Sequence, residues 1–103
     1  MLFDTNIPPI SPFDQVTVAL DLETTGLDST RHLILEIGAV RFCGEKVLDT
    51  YQTLVNPGVK IPDFIQRLTN ITPDLVKGQP FFSSVAEKIE QFLGADPIIG
   101  HNI

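Results

Sequence analysis

From Val16 to Glu23 apolar and polar positions alternate: Val16, Val18, Leu20 and Leu22 fall on one side, and Thr17, Ala19, Asp21 and Glu23 on the other. A period of two is that of a strand with one buried face, and here the second face ends in two acids. Leu33 to Phe42 is apolar and β-branched, which predicts a second strand. Cys43-Gly44 predicts a tight turn, and Lys46 to Val55 a third strand antiparallel to the second. Asn56-Pro57-Gly58 stops it. A short helix is expected from about Pro62 to Leu68, with Pro62 suited to a first turn. Thr72-Pro73-Asp74 has the form of a cap followed by another brief helix. The clearest helix starts at Ser83 or Ser84. Ser84 and Glu87 fit a capping box, and Phe82, Val85, Ile89 and Phe92 share one face. Gly94 is placed to close it. Asp96 to Gly100 then opens a last strand, running into His101-Asn102-Ile103.

The order is β-β-β-α-β, an α/β arrangement in which a hairpin-bearing sheet is followed by a helical crossover into a further strand. A right-handed crossover sets that strand parallel to the first and beside it. No helix follows it in this sequence, so one sheet face is expected to be thinly covered, as in a domain cut short. Residues 1–14 hold three of the eight prolines and no periodicity. They are expected to form an extended lead-in whose Phe or Ile tucks against the folded part, residues 15–103.

Composition narrows the chemistry. A chain of 103 residues with 43% hydrophobic and 19% charged positions is an ordinary globular domain. Seven Lys and Arg against thirteen Asp and Glu leave a net charge of −6, so binding a polyphosphate by bulk electrostatics is excluded. A nucleic-acid substrate would need metal ions or local basic groups to screen the repulsion. A single cysteine, Cys43, excludes an internal disulfide and suits a reducing compartment. No Lys or Arg precedes Arg31, so the start lacks the basic region of a signal peptide. No apolar run reaches the roughly 18 residues of a membrane span. The expectation is a soluble, cytoplasmic protein with no membrane partner.

The candidate chemistry lies in Asp21-Leu22-Glu23-Thr24-Thr25-Gly26-Leu27. Carboxylates at i and i+2 on a strand share a face, with roots about 6–7 Å apart. That pitch lets both reach one cation, or straddle a pair about 3.5–4 Å apart. Oxygen-only ligands favour Mg²⁺ or Mn²⁺. Thr24-Thr25-Gly26 turns the chain and offers hydroxyls and N–H groups beside the acids, and Leu27 adds an apolar surface for a base. For an isolated D-x-E pair, solvated acids at a strand end would be the commoner reading. The complete heptad overrides it.

DLETTGL at the end of an alternating first strand resembles the first motif of the DnaQ-like 3′→5′ exonucleases, the DEDD group of the ribonuclease H-like fold. LILEIGAVRF is similar to the second strand of that family and leads through a hairpin into YQTLVNPG. Leu68-Thr69-Asn70-Ile71-Thr72 resembles its HGIT-like segment, and Gly100-His101-Asn102 the start of its second exonuclease motif. The resemblance runs in order over residues 15–103.

It implies a ribonuclease H-like mixed sheet and a two-metal-ion (Mg²⁺ or Mn²⁺) exonuclease that releases nucleoside monophosphates from single-stranded DNA 3′ ends, acting beside polymerase or helicase regions of a parent protein. By resemblance, Asp21 and Glu23 are the first two metal-binding and catalytic carboxylates. Thr24, Thr25, Gly26 and Leu27 meet the 3′-terminal nucleotide, with Leu27 wedged against its base; Thr69, His101 and Asn102 lie on the substrate side. The family's third carboxylate follows His101-Asn102 in a Phe-Asp, and its histidine (or tyrosine) and fourth aspartate come later still. None of these is among the 103 residues, so the chain is expected to be inactive alone. A Thr at position 69 leans toward the PolC and DinG-type branches, where the stretch reads LTGIT, and away from the polymerase ε subunit, where it typically begins His-Gly.

Bland roles are expected for several other residues: a structural acid for Glu36, a loop residue for His32, a hairpin tip for Cys43, packing of the crossover helix for Phe81-Phe82, and caps for Asp63, Asp74 and Asp96. Two further readings stay open: an RNA-directed member of the same family, and a non-catalytic ribonuclease H-like interaction module.

Overall fold

The computed structural model describes residues 15–26 and 33–101, the last of these by its backbone. The expectations for residues 1–14, Leu27, His32 and Asn102 lie outside the described residues.

Alternating residues build the centre of the molecule. Strand β1 (Thr17–Thr24) is flanked by β2 (Ile34–Cys43) on one side and β4 (Ile98–His101) on the other, with β3 (Lys46–Leu54) outside β2, giving the order β3-β2-β1-β4. The β1–β2 and β2–β3 pairs are antiparallel; β1 and β4 are parallel, as the crossover expectation required. Three helices connect β3 to β4: α1 (Asp63–Thr69), α2 (Pro73–Val76) and α3 (Phe82–Leu93).

Two apolar clusters hold these elements. Val85 and Ile89 of α3 press on Val18, Ile37, Ala39 and Val55, with Leu20, Leu22, Tyr51 and Phe92 around them. Each of the buried Val and Ile side chains among them contributes about 1.5–3 kcal/mol on burial. Ile65 of α1 and Val76 of α2 close with Ile61 and Ile71 over Leu35. Because Val18, Leu20 and Leu22 face α3, Asp21 and Glu23 lie on the opposite face of the sheet. Among the described residues no helix covers that face, and it holds an open hollow of ≈ 750 Å³ whose floor includes Ala19, Gly38, Val40, Thr50 and Ile99. No helix among the described residues is long and apolar enough to cross a membrane.

The structure shifts several boundaries and corrects four expectations. The hairpin tip is Gly44-Glu45, not Cys43-Gly44: Cys43 pairs with Lys46 as the last residue of β2, and Gly44 takes φ +61° at the first turn position, where a type II′ hairpin needs glycine. Helix α3 starts at Phe82 without a capping box, since Phe81 occupies the N-cap and makes no side-chain cap bond. Its entry is set instead by backbone pairing, with Asn56 N–H donating to the Pro80 carbonyl (2.8 Å) and Asn56 bridging Phe81. That early start turns Phe81 and Phe82 outward, 55% and 44% exposed, so they do not pack the helix onto the sheet. Asp96 is no cap either: its carboxylate accepts from Arg41 Nε at 3.2 Å. The cap expected at Thr72 is present, its hydroxyl accepting from Leu75 N–H at 3.4 Å, and Gly94 closes α3 at φ +55°.

Candidate active site

β1 is paired on both sides from Val18 to Asp21, and among the described residues Leu22 to Thr24 pair with β2 alone. Asp21 sits between Gly38 of β2 and His101 of β4; Glu23 sits opposite Glu36. This register brings the heptad and the start of the Gly-His-Asn segment side by side, although some eighty residues separate them in sequence. Asp21 is exposed and Glu23 half-buried.

Beyond Glu23 the ladder slips. Glu23 pairs with Glu36 but Thr24 pairs with Ile34, leaving Leu35 as the extra residue of a bulge. Leu35 is fully buried in the cluster under α1, and its carbonyl accepts from Val55 N–H at 2.8 Å. Bulges bend a strand and re-aim the residues beyond them; here the chain leaves the sheet at Thr24 and enters the Thr25-Gly26 turn. Thr25 is only 6% exposed. Its N–H donates to the Leu33 carbonyl (2.9 Å) and its hydroxyl accepts from Leu33 N–H (3.3 Å). Gly26 adopts φ +62°, and Ile65 Cδ1 of α1 would lie 3.7 Å from a Cβ there, so α1 backs the turn directly.

Thr69 ends α1, one turn after Ile65. Its hydroxyl donates to the Ile65 carbonyl at 2.7 Å and accepts from Ile71 N–H at 3.2 Å, so both of these bonds serve the helix end. Asn70 follows in the left-handed region at φ 60° and caps α1 by donating its N–H to the Gln66 carbonyl. The glycine of an LTGIT stretch and the Asn of LTNIT meet the same demand, since Asn is the residue other than Gly that most readily adopts this conformation.

The donor set is therefore two carboxylates, hydroxyls and backbone groups. Oxygen donors alone, on an open face, fit a hard divalent cation such as Mg²⁺ or Mn²⁺. Among the described residues no three His, Cys, Asp or Glu residues gather closely enough to hold a metal by themselves, so Asp21 and Glu23 would be partial ligands, completed by water or substrate oxygens.

Sequence reasoning misses three members of this neighbourhood: Gly38, Gln52 and the supporting Ile65. Glu36 is the structural acid expected of it, paired with a neighbouring strand: its Oε2 accepts from Gln52 Nε2 of β3 at 3.0 Å. The sequence does not reveal that Glu36 lies directly opposite Glu23, because strand alternation gives the face of a residue but not its partner.

The chain matches the exonuclease family RNase_T over residues 18–103. It is 41% identical over 90 residues to the PolC-type DNA polymerase III of Clostridium perfringens, covering 87% of this chain and 6% of that protein. It is 36% identical over 88 residues to the DNA polymerase III subunit epsilon of Aquifex aeolicus, covering 85% and 44% respectively. Among solved structures, exonuclease X in complex with 5′ overhanging duplex DNA superposes with a TM-score of 0.68 at 27% identity, over 84% of this chain and 48% of that one. The chain thus spans less than half the length of each of these proteins.

Proposed function

The chain belongs to the exonuclease family, and on that footing we propose that it supplies the first two metal-binding carboxylates, Asp21 and Glu23, of a 3′→5′ DNA exonuclease site that releases nucleoside monophosphates with two divalent ions, Mg²⁺ or Mn²⁺. The observation that carries the reading is the placement of the two acids on one open sheet face, beside a bulged turn and next to the strand bearing His101.

Two cations held there would activate the attacking water and stabilise the leaving 3′-oxygen. The chain's own residues do the positioning. Asp21 and Glu23 present oxygens at a fixed strand pitch. The bulge at Leu35 and the Thr25–Leu33 bonds fix where the turn leaves the sheet, and the Gly26 backbone can approach a nucleotide without a side chain in the way. Thr24 and Leu27 would flank the terminal nucleotide, with Thr69, His101 and Asn102 on the substrate side. A single-stranded 3′ end is the proposed substrate, and polymerase or helicase regions of a longer protein the proposed partners. Local cation charge would offset the net charge of −6 against a phosphate backbone.

The test uses this chain alone and this chain fused to the second half of a relative's exonuclease domain, each with 5′-labelled single-stranded DNA and Mg²⁺ or Mn²⁺. A ladder shortened from the 3′ end is expected from the fusion and not from the chain alone, and Asp21→Asn removes it. A ladder that survives Asp21→Asn sinks the assignment. So does an inert fusion when the relative's own first half is active in the same context. A matched RNA substrate, cut in preference to DNA, would move the activity to RNA ends.

A further inference from the structure

Glu36 and Glu23 are directly opposed across β1 and β2. Residues so paired have Cβ atoms about 4.5–5.5 Å apart, and like charges there are destabilising. Three further observations sharpen this. Both side chains are half-buried, which limits how far either can turn into solvent. Glu36 is held on the face by a solvent-exposed hydrogen bond that its carboxylate accepts from the Gln52 amide at 3.0 Å. Gly38, which the register sets between Asp21 and Gln52, interposes no side chain; among the described residues a Cβ there would find only the Asp21 carbonyl, at 4.0 Å. Among the described residues packing therefore does not require a glycine at that place, and the position next to Glu36 on this face of β2, opposite Asp21, carries no side chain. Arg41, the basic residue of β2, is engaged with Asp96 and Asp49 on the α3 side of the sheet.

Glu36 does not gather with Asp21 and Glu23 into a metal-holding set, so its influence runs through Glu23. We propose that Glu36, held by Gln52, is a positioning residue for the carboxylate pair: its charge, set against Glu23, makes the metal-free face unfavourable and so raises the affinity of that face for a divalent cation. The inference rests on the metal-site reading of Asp21 and Glu23.

The 103-residue chain and its Glu36→Gln, Gln52→Ala and Asp21→Asn variants are melted in EDTA and in millimolar MnCl₂. Glutamine at position 36 can still accept from Gln52, so a purely structural role predicts no change in the response to Mn²⁺. The proposal predicts opposite signs in the two conditions. Glu36→Gln melts a few degrees higher than wild type in EDTA, and its gain in Tm with Mn²⁺ shrinks, with several-fold weaker binding. Gln52→Ala, which frees Glu36 to swing away, weakens Mn²⁺ binding in the same direction and by less. High salt abolishes the difference in EDTA, since screening removes like-charge repulsion. Glu36→Gln with a lower Tm in EDTA, or with an unchanged Mn²⁺ response while Asp21→Asn loses its own, overturns the role of Glu36 and leaves the metal site standing. A wild-type chain indifferent to Mn²⁺, or an Asp21→Asn variant that responds like wild type, overturns both.

Discussion

The Arg41 guanidinium lies over the Phe92 ring, 4.5 Å from its centroid, at the end of β2 away from Glu36. The same side chain donates to the Phe92 carbonyl and to Asp96 (3.2 Å), and reaches Asp49 at 3.7 Å. One residue of β2 thereby ties the end of α3, the turn into β4, and β3. The turn matters for the site, because the Pro97 carbonyl accepts from Val18 N–H at 2.9 Å and so starts the β1–β4 register that sets His101 beside Asp21.

Arg41→Ala is expected to cost about 2–3 kcal/mol, from a lost charged hydrogen bond, a lost stacking contact and a half-buried Asp96 left without its partner. Arg41→Lys keeps the charge but not the planar fork, and should recover less than half of that. Denaturant midpoints of the two variants check both figures.

Asn70 holds φ 60° without being glycine. Asn70→Ala should destabilise by up to about 1 kcal/mol, because alanine keeps a Cβ in left-handed backbone but loses the short polar side chain whose local hydrogen bonding makes that conformation tolerable. Asn70→Gly should be neutral or slightly stabilising. Thermal melts of the pair separate backbone strain from side-chain loss, because both remove the amide and only one relieves the strain.

The Thr69 hydroxyl makes two bonds, to the Ile65 carbonyl and from Ile71 N–H. Thr69→Val matches its shape but leaves Ile71 N–H unsatisfied, and should cost about 1–3 kcal/mol; Thr69→Ser should stay near wild type. If nucleotide cleavage in the fused domain follows the stability ranking, the hydroxyl acts by holding the end of α1. A cleavage defect in Thr69→Val larger than its loss of folded protein would place the hydroxyl on the substrate.

Among the described residues Gly26 has no near neighbour that a methyl would strike, the closest atoms to a Cβ there being Ile65 Cδ1 and Thr24 Oγ1 at 3.7 Å. The cost of Gly26→Ala is therefore one of backbone conformation, about 1–2 kcal/mol, and should be concentrated in the turn. Faster amide exchange at Thr25, with β2–β3 protection unchanged, is the expected signature.

These positions show where the sequence is legible. The alternation of β1 is enough to place Asp21 and Glu23 together away from the core, and the spacing of Val85 and Ile89 is enough to find the face of α3. Both are local, repeated signals tied to burial. The first turn of α3 escapes such reasoning because Ser84 and Glu87 form a convincing cap pattern, while the actual start depends on Asn56 bonding to Pro80, a contact across the chain that no window around Ser84 contains. Asp96 resembles a cap for the same reason, its partner Arg41 lying on another strand. Alternation puts Glu36 on a strand but not opposite Glu23, because the register of β1 against β2 depends on a bulge at Leu35 that an unbroken apolar run conceals.

The parallel pairing of β1 with β4 also has a consequence for the order in which the molecule assembles. The β2–β3 hairpin closes over a two-residue turn, whereas Val18 meets Ile98 only after nearly all the described chain has been made and the crossover has folded back. Closing so long a loop is entropically slow compared with zipping a hairpin. The flank of Asp21 that faces β4 is thus the last part of the sheet to acquire its neighbour, and during synthesis the acids wait beside a vacant seam that residues 98–101 must fill.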